Sequence, residues 1–181
     1  ATPELSVLEA KKELVKFGQL LLKMHKKTLK LVNATGKKEQ TALITKIKSY
    51  EEVTDRIHHE ISSFLAKASS KEVSESTSEQ IRGLLGASSD LESIGDIYFN
   101  MAMQIEKKTK DKVWFDQKQR DYLTKYFSQI IEAYDEMVSN LDQKVEVLNI
   151  SKAAELEQEI NATRDKLRKK HLKSIEKQEY N

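Results

Sequence analysis

Helix breakers are nearly absent from this chain. Its 181 residues hold one proline and five glycines, and the proline stands at position 3. Between such sparse interruptions the backbone has little reason to turn, so the chain is committed to long helices wherever apolar residues recur three or four apart. They do so in five runs. Thr2 reads as an N-cap with Pro3 at the first helical position, leading a run through Leu5, Leu8, Val15, Leu22, Leu29 and Val32. Asn33 to Gly36 break the pattern, and a second run carries Leu43, Ile47, Tyr50, Thr54, Ile57, Ile61, Phe64 and Ala68. Residues 69–78 are serine-rich and charged, without an apolar face. Ser76 and Glu79 then have the spacing of a capping box, ahead of a third run from Ile81 to Ile105 that ends among the basic residues 107–112. Trp114 and Phe115 suggest a turn that docks aromatic weight on the bundle. Asp116 is placed to cap a fourth run from Leu123 to Leu141, and a fifth starts near Ser151. No segment alternates as a strand would. Helices of about 30 residues reach about 45 Å, so the expected fold is all-α, an elongated helical bundle.

Composition narrows the function. The chain balances 31 basic against 29 acidic residues, for a net charge of +2, and contains no cysteine. Disulfides, thiolate zinc sites and cysteine nucleophiles are therefore excluded. Near-neutrality with interleaved acids argues against a nucleic-acid partner. No run approaches the roughly 18 apolar residues of a spanning helix, so direct membrane insertion is not expected. The opening at Ala1 and the ending at Tyr180 and Asn181, within a helical pattern and without a cap, lead us to expect a piece excised from a longer chain.

The second half echoes the first. In each, an apolar-rich helix (Leu14 to Val32, then Leu123 to Leu141) precedes a strongly charged one, holding Glu51 and Asp55 in the first half and Asn161 and Asp165 in the second. The expected organisation is one domain over residues 1–181. It comprises a three-helix repeat over about 3–110 and a truncated second repeat over about 116–181 that lacks its sixth helix.

The chemistry-bearing stretch is Asp90 to Ala102. Glu92, Asp96 and Asn100 lie four apart and share one helix stripe, and no basic residue stands at helical spacing to neutralise the two acids. Gly95 lies between them, which costs up to about 1 kcal/mol in a helix interior relative to Ala and permits a close approach by a helix or an ion. Glu51 and Asp55 repeat the device on the second helix, with His58 and His59 continuing the stripe. If the two helices face each other, the carboxylates converge on one or two metal ions. Hard oxygen donors beside imidazole suit Fe, Zn, Mn, Ni or Mg. Asp165, with Asn161, is a weaker echo. His25 and His171 sit among basic residues and read as solvated. Phosphate-binding glycine loops, nucleophile elbows and zinc-protease motifs are absent, so the chain is not expected to be an enzyme. Three readings stay open: a metal-dependent regulatory domain, a metal-binding enzyme or iron-handling protein, and a metal-free helical interaction module.

Asp90-Leu-Glu-Ser-Ile-Gly-Asp96, with Asn100 four residues on, resembles the D-L-E-R-I-G-D-x-x-x-N signature of the PhoU family of phosphate-transport regulators. Ser93 stands where that signature has arginine, and Ile97 where histidine is frequent. Glu51-x-x-x-Asp55 is similar to the family's other acidic helix. The resemblance implies two repeats of a three-helix bundle that bind a divalent or trivalent metal ion, with ligands at Glu51, Asp55, Glu92, Asp96, Asn100 and Asp165. It also implies a regulatory role in phosphate uptake. The opening Thr2-Pro-Glu-Leu is similar to the junction at which bacterial sodium/phosphate cotransporter-like membrane proteins enter a C-terminal domain of this kind. That likeness implies a domain on the cytoplasmic side of the inner membrane. Its partner would be a membrane-embedded phosphate transporter portion of the same polypeptide or complex, and a homodimer is a further possible assembly.

Overall fold

A computed structural model describes residues 2–143 and 150–179; the readings that fall on Ala1, Tyr180 and Asn181 lie outside the described residues. Five helices follow one another: α1 (Pro3–Asn33), α2 (Lys37–Ser69), α3 (Glu75–Lys110), α4 (Gln117–Asp142) and α5 (Ile150–Glu176). Among the described residues there is no strand, and the expected all-α bundle is the fold.

The helix starts follow their capping chemistry. Thr2 Oγ1 accepts from the Leu5 amide at 3.3 Å, with Pro3 at the first helical position. Asp116 and Gln119 complete a reciprocal capping box at α4, with bonds of 2.7 and 3.0 Å. At α3 the cap is Ser74, whose Oγ accepts from the Thr77 amide at 3.1 Å, two residues before the expected Ser76. Both serines satisfy the local rule, and Ser74 wins because Thr77 is buried and fixes the first turn. Two helices close with a non-glycine residue in the left-handed region, Lys112 after α3 (φ 58°) and Gln178 after α5 (φ 52°). In each the amides of that residue and the next bond back to carbonyls of the last turn, as in a Schellman motif. The final helix therefore ends at Glu176 with a cap, where the sequence pattern suggested none.

Helices α1, α2 and α3 pack pairwise against one another, α4 lies along α1, and α5, among the described helices, touches α4 alone. The core runs down α1 through Val7, Ala10, Leu14, Phe17, Leu21, Met24 and Leu31, all at most 6% exposed. Leu5 and Leu8, placed on the apolar run by sequence, are 47% and 57% exposed. Because α1 is covered on three sides its sequence is apolar around much of the circumference, and periodicity alone picks the rim as readily as the centre. Phe64 is also exposed, and Trp114 is 52% exposed, so the aromatic weight falls on Phe115, which packs against the core.

His25 corrects the sequence reading most sharply: it is fully buried. Its Nδ1 lies 2.7 Å from the Tyr98 hydroxyl on α3 and its Nε2 lies 2.9 Å from the Phe127 carbonyl on α4. A carbonyl only accepts, so Nε2 carries the proton and Nδ1 accepts from Tyr98. Burial holds the imidazole below its usual range, and the neighbouring Lys26 charge acts the same way, against the carbonyl bond. This neutral ring ties α1 to α3 and α4 together. Basic neighbours in sequence do not reveal it, since Lys26, about 100° round the helix from His25, is exposed.

Candidate metal centre

The acidic stripes of α2 and α3 meet. Packing along α2 and α3 sets Gly95 against Thr54: a Cβ on Gly95 would lie 3.2 Å from Thr54 Oγ1 and 3.4 Å from Leu21 Cδ2. The missing side chain lets α3 seat closely on α1 and α2 together. Thr54 is fully buried, and its hydroxyl donates to the Glu51 carbonyl at 2.8 Å. With that pair fixed, the next residues outward on each helix, Asp55 and Asp96, emerge at the rim of the same seam.

Glu51, Asp55 and Asp96 each offer one carboxylate oxygen to a set whose members all lie within 4.8 Å of one another. Two oxygens on opposite sides of one ion with bonds of about 2.1–2.4 Å are about 4.2–4.8 Å apart, so the spacing fits a single hard cation. Glu51 and Asp96 are half-buried and Asp55 is exposed. None of the three forms an ion pair among the described residues. The Glu51 carboxyl is held above its ordinary range, by desolvation first and then by the charges of Asp55, Asp96 and Glu52. A divalent ion between these carboxylates would relieve the repulsion that acts on Glu51. The donor set is hard oxygen throughout, which suits Mg, Mn or Fe better than a soft metal.

The other sequence candidates are placed differently. Glu92, one turn before Asp96, is half-buried outside the convergent set, and Asn100, one turn after it, is exposed. Asp165 is on α5, which does not touch α2 or α3, and it pairs with Arg164 at 2.9 Å while Arg164 also donates to the Asn161 side-chain oxygen. His58 leaves the carboxylates for α3, its Nδ1 lying 3.0 Å from Ser88 Oγ, and His59 is exposed. The sequence reading missed a groove between α4 and α5, of about 730 Å³, lined by Tyr122, Leu123 and Leu167 among basic residues. Its signal lay in the basic stretch from Arg164 to Lys177, in which Leu167, Leu172 and Ile175 are interspersed.

Fold and site together define a class: a helical bundle that presents carboxylates across one helix seam. The family model described as the PhoU domain matches residues 14–105, which is the span from the middle of α1 to the end of the core on α3. The match covers half of the chain, and the chain belongs to the PhoU family. Membership places it among regulators of phosphate homeostasis, a family that is regulatory and not catalytic. Comparison with curated proteins and with solved structures gave no significant match. Among the described residues no helix is long and apolar enough to cross a membrane.

Proposed function

We propose that this chain is a regulatory domain of a phosphate-uptake system, and that it acts through a divalent or trivalent metal ion held by Glu51, Asp55 and Asp96. The observation that carries the reading is the convergence of three uncompensated carboxylates from two helices in a chain of the PhoU family. An acidic site repels free phosphate, so a bound cation is what would make it responsive to an anion or to a partner's carboxylate. Glu92 and Asn100 stand one turn to either side and would extend the ligand set along α3. Asp165 would serve a separate site in the second repeat, once released from Arg164. The partner is the membrane-embedded portion of a sodium/phosphate cotransporter-like protein, which sets the domain on the cytoplasmic side of the inner membrane. Bound metal would supply charge neutralisation that locks α2 to α3 and a Lewis-acidic contact for that partner.

The test is phosphate uptake by cells expressing the complete protein with Glu51→Ala and Asp96→Ala. The expected result is transport that persists but no longer adjusts to phosphate supply. Uptake that still adjusts normally would refute the regulatory site.

A further inference from the structure

Helix α4 is held to the rest of the molecule around one titratable ring. It lies along α1 and carries α5, whose only neighbour among the described helices is α4. Its two buried residues are Phe127 and Tyr134. Both pack on His25, with ring centroids 4.9 and 5.6 Å from the imidazole. Two further ties lie to either side along α1. At one, Gly18 lets the helices approach, since a Cβ there would stand 3.0 Å from Val138 Cγ2. At the other, the Asn33 side-chain amide donates to Thr124 Oγ1 at 3.0 Å on the exposed surface. His25 is the middle tie, and it is fully buried.

We propose that His25 is a proton-operated clasp: neutral, it holds α4 and α5 against α1 and α3, and protonated, it releases that pair while α1, α2 and α3 stay together. The neutral ring uses both nitrogens, Nε2–H donating to the Phe127 carbonyl on α4 and Nδ1 accepting from the Tyr98 hydroxyl on α3. A proton added at Nδ1 turns that acceptor into a donor, which meets the hydrogen of the Tyr98 hydroxyl. The groups that face the ring offer no counter-charge. They are the Tyr98 hydroxyl from α3 and the Tyr134 hydroxyl from α4, which burial keeps protonated, with Tyr98 pushed up to about 12. On α1 itself, Lys26 is a like charge. A buried cation without a partner is strongly disfavoured, and water relieves it. Water reaches the ring most readily from the α4 side, because α4 has two buried residues where α3 has eight. The sign follows from the two states: the open ring titrates near 6.5 and the docked ring below it. Docking is therefore complete above about pH 6.5 and weakens as pH falls toward the docked value.

The test is amide exchange of the full chain, read by mass spectrometry at about pH 7.5 and 5.5 and corrected for intrinsic rates. One histidine with an open pKa near 6.5 can change the opening equilibrium by up to about tenfold over that interval. We expect protection of α4 and α5 to fall about three- to tenfold on acidification while that of α1, α2 and α3 holds. His25→Gln supplies an amide donor and a carbonyl acceptor without titrating, and it should abolish the fall. His171→Gln, at the histidine of α5, should leave the fall intact. No fall in wild type, a fall shared by all five helices, a fall retained in His25→Gln, or one lost in His171→Gln would overturn the clasp. Should His25→Gln not fold by circular dichroism, the imidazole titration of wild type by NMR decides. A His25 pKa below 6.5 that follows the α4 exchange profile upholds the clasp, and one at or above 6.5 overturns it.

Discussion

At the scale of single residues, charge and burial make opposite demands at two sites. His25 is neutral in the fold because burial holds its pKa below 6.5, so the unfolded chain binds the proton more readily. Its contribution is therefore complete above about pH 6.5 and is lost as pH falls from there through the lower folded value. Replacing it by Phe keeps the ring but leaves the Tyr98 hydroxyl and Phe127 carbonyl short of a buried partner, at about 1–3 kcal/mol. Urea unfolding at about pH 7.5 and 5.5 checks both statements: wild type should lose stability on acidification, and His25→Phe should start lower and lose less. Glu51 has the reverse sign. Its folded pKa is raised above 4.5, so the folded state holds the proton more tightly, and the metal-free fold gains stability as pH falls through that raised value. Glu51→Gln removes the repulsion for good, and the metal-free midpoint at neutral pH should rise by up to about 0.5 kcal/mol. A lower midpoint would mean that the carboxylate has a partner in solution. The acidic stripes were legible because helical spacing alone puts like charges on one face. His25 was not, because its partners come from residues 73 and 102 positions away.

At the scale of elements, one close contact sets the metal seam. Gly95→Ala would place a methyl 3.2 Å from Thr54 Oγ1, an overpacking cost of about 1–3 kcal/mol against a helix-propensity gain of about 1 kcal/mol. We expect a net loss of about 1 kcal/mol from those opposing figures. Adding Thr54→Ala clears the space, so the double variant should recover part of the loss. Strictly additive losses in that thermal-unfolding cycle would show that the two residues do not press on each other. The sequence marked Gly95 as a point of close approach, and the structure supplies the neighbour, a helix carrying Thr54. Helix ends were legible where a side chain makes the cap, as at Thr2 and Asp116. They were not where Ser74 and Ser76 compete, nor at Lys112 and Gln178, because nothing in a lysine or glutamine announces a left-handed residue.

At the scale of the molecule, the helices are unequally anchored. Twelve residues of α1 are buried and two of α5, so amide exchange should be slowest along α1 and fastest along α5, whose only neighbour among the described helices is α4. Protection of α5 equal to that of α1 would contradict this hierarchy. The all-α architecture was legible from periodicity and the lack of breakers, whereas which helix becomes the centre was not. That choice depends on α1 being covered from three sides, a tertiary fact that its local pattern only blurs. The centrality of α1 also places the acidic seam: α2 and α3 share it as a common support, and their outer faces meet as a consequence. The molecule's proposed central property is that this seam holds a cation. Titration of the metal-free chain with Mn²⁺, followed by calorimetry, tests it most directly, beside a Glu51→Gln, Asp96→Asn variant that keeps the helical fold. Wild type is expected to bind saturably and the variant at least about tenfold more weakly; no binding, or equal binding by both proteins, would rule the cation site out.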